Sequence, residues 1–102
     1  MDNLLQSLQR TIRALETLSE KNPPQVDRVD ELLDQLFQQK IDLANLNTNT
    51  SAPAYQQASQ ALSMAASRSE KAAKDPNQLR DTLPVVTEAI GKLAKLLNHV
   101  VS

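Results

Sequence analysis

Four carboxylates offer the densest chemistry in this sequence. Asp27, Asp30, Glu31 and Asp34 recur at spacings of three, four and seven, so a helix would carry all four on one face. Such a row could hold a cation or receive a basic partner. A dinuclear metal site in a helical bundle needs inward-facing Glu residues joined by Glu-x-x-His pairs, and no such pair occurs. The row therefore reads as a solvated face whose functional alternative is partner docking. His99 is the sole histidine. It falls in the last turn of the final helical segment, where a cation suits the helix dipole, and no spacing brings it a nucleophile or acid. Phe37 and Tyr55 are the two aromatics. The pattern assigns Phe37 to the core and divides Tyr55 between core and partner anchor, because aromatics concentrate at binding hot spots. The residues assigned to partner binding are thus Asp27, Asp30, Glu31, Asp34 and Tyr55. No catalytic, cofactor-binding or metal-binding residue is expected: there is no Cys, no Gly-rich phosphate loop, no Ser/His/Asp spacing and no zinc pattern.

The scaffold for these residues is helical. Of 102 residues, 16 are Leu and 12 Ala, both strong helix formers, while a single Gly leaves no material for the turns of a hairpin-rich β fold. The chain is long enough for one domain with one modest core. A net charge of −1 gives no basic face for nucleic acid. The apolar runs fall far short of the roughly 20 residues that span a bilayer. The N-terminus, Met-Asp-Asn-Leu-Leu-Gln, has neither a positive nor an apolar signal region, so a cytoplasmic protein is expected, with export by a signal-less route left open. The sequon at Asn49 then reads as a chance match. Ten Gln and seven Asn supply weakly charged polar faces, such as Gln35/Gln38/Gln39 and Gln56/Gln57/Gln60, which an interface tolerates at low desolvation cost.

Apolar residues recur at alternating steps of three and four through four segments, predicting helices over about 2–21, 23–46, 53–74 and 76–101 with a loop over 45–53. Leu5, Leu8, Ile12 and Leu15 carry the first seam, after Asp2 as cap. Asn22-Pro23-Pro24-Gln25 reads as a stop followed by a start, with Asn22 capping the second helix and Pro23 at its first position. Val26, Val29, Leu33, Leu36 and Leu43 follow, flanked by Leu32, Phe37 and Ile41. Thr50 or Ser51 caps the third segment, whose stripe of Tyr55, Ala58, Leu62, Ala65, Ser69 and Ala72 is made largely of small residues and invites close helix approach. Asp75-Pro76-Asn77-Gln78 repeats the start signal. The fourth seam, Leu79 to Val100, is disturbed by Pro84, predicting a kink over Arg80–Pro84 or a new start at Thr82. Gly91 is expected at a close contact with a neighbouring helix.

These segments predict an all-α, up-down-up-down antiparallel four-helix bundle with its fourth helix kinked or broken near Pro84. Charge suggests a register: folding the second and third segments into a hairpin sets the acidic row against Arg68 and the basic end of the third. Function is expected to be a small non-catalytic protein–protein interaction module, with another protein as partner. The rival reading is a self-assembling structural protein, a dimer of hairpins. About a hundred residues, no Cys, four capped helices and a distorted last helix resemble, in outline, the class II bacteriocin immunity proteins. Small adaptor or chaperone-like proteins of specialised secretion systems share the size. The likeness is architectural and transfers no residue role.

Overall fold

The computed structural model describes the backbone of residues 3–45 and 53–101 and the side chains of 4–45 and 53–98. The caps expected at Asp2 and at Thr50 or Ser51, the Asn49 sequon and the His99 side chain lie outside the described residues. Of the described residues 92% are helical, and none is in a strand. The helices are α1 (Asn3–Glu20), α2 (Val26–Ala44), α3 (Pro53–Lys74) and α4 (Leu79–Val101), with one 3-10 turn, Pro76–Gln78, leading into α4.

Each boundary has a local cause. Asn22 adopts φ 52°, the left-handed conformation that Asn tolerates better than most residues, and it closes α1 rather than capping α2. The amides of Lys21 and Asn22 donate to the Leu18 and Ser19 carbonyls at 3.1 and 3.0 Å, tightening the last turn. Pro23 is consequently a buried turn residue whose carbonyl accepts from Val26 at 3.0 Å. The second helix starts three residues later than the Pro signal implies, behind Gln25, which makes no side-chain cap. Before α4 the expected cap is present. Asp75 accepts from the Asn77 amide at 3.3 Å, and Gln78 reaches back to the Asp75 carboxylate at 3.2 Å.

The fourth segment is broken at this capped 3-10 turn, and α4 then runs through Pro84. Thr82 does not start a helix. It is buried inside α4, and its hydroxyl donates to the Gln78 carbonyl one turn back at 2.8 Å. Nor does a neighbour press on Gly91, where an added Cβ would meet nothing within 4 Å.

Leu4, Leu8, Leu15 and Leu18 of α1, Val29, Leu32 and Leu36 of α2, Leu62 of α3, and Leu79, Val86, Leu93 and Leu96 of α4 are all but inaccessible and form a single core. At about 25 cal/mol per Å², complete burial stabilises each such side chain by roughly 1.5–3 kcal/mol. Ala58, Ala65 and Ala72 are fully buried in the same cluster, so α3 approaches its neighbours closely and packs extensively against both α1 and α4.

Direction alternates from helix to helix, but neighbourhood does not follow chain order. Ser19 donates to Asp30 at 2.6 Å across the antiparallel α1/α2 hairpin. Arg10 meets Glu70 and, further along both helices, Lys21 meets the Ala73 carbonyl, so α1 and α3 are parallel neighbours. Arg28 with Thr87 and Gln39 with Ile90 set α2 beside α4 in the same sense. Two hairpins, α1/α2 and α3/α4, therefore lie side by side. The α2/α3 and α1/α4 pairs fall on the diagonals of a body measuring 38 × 20 × 19 Å.

Candidate functional site

The diagonal placement separates the acidic row from the basic end of α3, so the hairpin register inferred from charge is not formed. Its residues find other company. Glu31 accepts from Arg28 of its own helix at 3.0 Å, and Asp30 accepts from the Ser19 hydroxyl. Asp27, Asp30 and Asp34 are exposed, and none of them forms an ion pair among the described residues. Tyr55, the fifth assigned residue, is 7% exposed and belongs to the core. It heads the small-residue stripe of α3 and is buried in the same cluster as Ala58 and Ala65.

Phe37 departs from expectation in the opposite direction. It is 40% exposed, because it lies one position beyond the seam residue Leu36 and no third helix covers that flank of α2. Ile41, one turn on, is 55% exposed. Asp27, Asp30, Asp34, Phe37 and Ile41 follow one another at steps of three, four, three and four, and so form one continuous outer face of α2. That face is acidic in its first half and apolar in its second. Over 14 residues at 1.5 Å each it extends about 21 Å. The carboxylate half was legible from spacing. The apolar half was hidden, since periodicity alone does not tell a wide buried stripe from a buried stripe with an exposed edge.

Among the described residues Met64 is the third exposed large hydrophobic side chain, also at 55%. It lines both the groove between α3 and α1 and the groove between α3 and α4, which sets it on the outer ridge of α3. Its sequence signal was its departure from the Leu62/Ala65 seam. Arg68 and Lys71, four and seven residues on, share this face and are exposed.

A second charged region lies between the C-terminal halves of α1 and α3, in a groove lined by Arg10, Arg13, Thr17, Glu70 and Lys74. Arg10 clasps Glu70 through both Nε–Oε2 at 3.1 Å and Nη2–Oε1 at 2.6 Å. The hydrogen bonds from Arg10 hold the Glu70 carboxyl below the usual carboxylate range, against slight desolvation and aided by the charges of Arg10 and Lys74. Lys21 donates to the Ala73 carbonyl at the end of α3. Lys71 and Lys74 in the last turn of α3, with Lys21 reaching its Ala73 carbonyl, offset the negative end of the α3 dipole, so this groove has a structural explanation.

Among the described residues no group of three or more His, Asp or Glu is arranged to hold a metal ion, and no helix is long and apolar enough to cross a membrane. Comparison with protein-family models, with curated proteins and with solved structures returned no match for this chain.

Proposed function

We propose that this chain is a small non-catalytic protein–protein interaction module, of the adaptor, chaperone-like or toxin-immunity type, acting through an exposed helical surface. The observation that carries this reading is the exposed pair of Phe37 and Ile41, a turn apart on a helix whose other large apolar side chains line the core. A scattered exposed Leu needs no explanation. A Phe and an Ile adjacent on one face, continuing a row of three carboxylates, form an amphipathic docking edge. The uncharged Gln38 beside them adds little desolvation cost on association.

A photo-crosslinking residue at position 37, introduced in the native host, should join the chain to a defined protein. The same residue at Lys95, exposed on α4, should not. Equal capture from both positions, or none from position 37, removes the reading.

A further inference from the structure

We infer that the outer face of α2 in one copy receives the outer face of α3 in a second copy. If the protein is an interaction module, as proposed above, its partner is then another molecule of the same chain. Phe37, Ile41 and Met64 are the exposed large hydrophobics among the described residues, and all three sit on these two faces.

The charges beside them are opposite in sign and run in opposite order. Along α2, acids precede the apolar pair; along α3, Arg68 and Lys71 follow Met64. Set antiparallel with Met64 between Phe37 and Ile41, Arg68 comes level with Asp34. Lys71 comes level with Asp30 and Glu31, and Lys74, a turn further, approaches Asp27. Acids near the start of α2 then meet bases near the end of α3, an arrangement the helix dipoles also favour.

Within one copy this pairing is out of reach, because α2 and α3 occupy opposite corners of the bundle. None of Asp27, Asp34, Arg68 and Lys71 has an ion-pair partner among the described residues. The sequence thus carries a complementarity that its own fold leaves unused and that a neighbouring molecule can satisfy. Because the two faces differ, the contact is heterologous, and a pair of copies keeps one free face of each kind, the α3 face of one and the α2 face of the other. Repetition gives a ring or an open chain of copies rather than a closed twofold dimer.

Sedimentation and light scattering over roughly 10–500 µM test this directly, since contacts of this kind fall in the micromolar range or weaker. The wild type should gain mass with concentration beyond a dimer at low salt, and lose most of the gain near 0.5 M salt, where the screening length shrinks to a few ångströms. An α2 variant, Asp30→Lys with Asp34→Lys, should weaken association at least tenfold, as should an α3 variant, Arg68→Glu with Lys71→Glu. Circular dichroism should show both folded, all four positions being exposed. Mixing the two variants should restore association, since the mixture pairs each α2 face with an α3 face of opposite charge. A wild type that stays monomeric throughout, variants that associate as well as wild type, or a mixture that stays monomeric overturns the inference. In the crosslinking experiment above, an adduct from position 37 with a different protein would retain the interaction module while removing self-association.

Discussion

A methyl group added at Gly91 would meet no atom within 4 Å, and the residue is exposed in the middle of α4. Glycine there only enlarges the freedom of the unfolded chain. Gly91→Ala should therefore stabilise the fold by about 0.5–1 kcal/mol, read as a higher urea midpoint with unchanged slope. A lower midpoint would mean that α4 needs the glycine for a reason its surroundings do not show. The sequence suggested close contact because a lone Gly in a helical seam commonly marks one. Its true position, on the solvent face between Thr87 and Lys95, depends on how α4 is rotated against α2 and α3. Phe37, expected in the core, is exposed, and Tyr55, divided between core and surface, is buried, for a similar reason. Each sits at the edge of an apolar stripe, and edge positions are decided by which neighbour stands beside them. Ser69, by contrast, is fully buried within its stripe with no hydrogen-bond partner for its hydroxyl, as the stripe predicts for position though not for the unpaired oxygen.

At the scale of the element, α4 shows two start signals competing for one helix. Asp75 and Pro76 supply a cap and a residue whose missing amide costs nothing at a first position, and the chain turns there. Pro84 supplies only a defect. It withholds the donor that the Arg80 carbonyl would use, but Arg80 and Pro84 are both exposed, so water can take that donor's place. Leu79, Val86, Leu93 and Leu96 are meanwhile buried on the opposite face and hold the helix against the core through the defect. Packing of four large side chains outweighs one lost hydrogen bond. The interior proline still carries a cost, and Pro84→Ala should raise stability by about 1–3 kcal/mol while leaving the circular dichroism unchanged. A loss of stability would show that a bend at Pro84 is needed to seat Leu83 and Val86. The helices themselves were legible because each seam runs for about three turns or more. The start of α2 was misplaced because Asn22 suits both an N-cap and a left-handed helix end, and only the backbone angle separates the two.

For the whole molecule, what the sequence withheld was which helix stands beside which. Period 3.6 identifies each buried face but not the face it meets, and the acid–base complementarity of α2 and α3 pointed to a hairpin that the fold does not make. Instead the two hairpins are joined along α1 and α3, with the Arg10–Glu70 clasp at their outer edge. Both side chains are 45% exposed, so the clasp contributes no more than the ~0–1 kcal/mol of a solvated pair. Its pH dependence has a definite sign. Glu70 titrates lower in the folded chain than the ordinary 4.5, because Arg10 bonds its charged form. Protonating it therefore costs the folded state more than the unfolded one. The contribution is complete above the ordinary value and disappears as pH falls through the lower folded one. Arg10 stays charged throughout and adds no dependence of its own in that range. Thermal unfolding of wild type and Glu70→Gln should accordingly show a gap at neutral pH that closes in acid and narrows in high salt. A gap that is unchanged at the acid end would show that the substitution acts through something other than the charge of Glu70, such as the NH2 group that Gln turns toward the Arg10 donors.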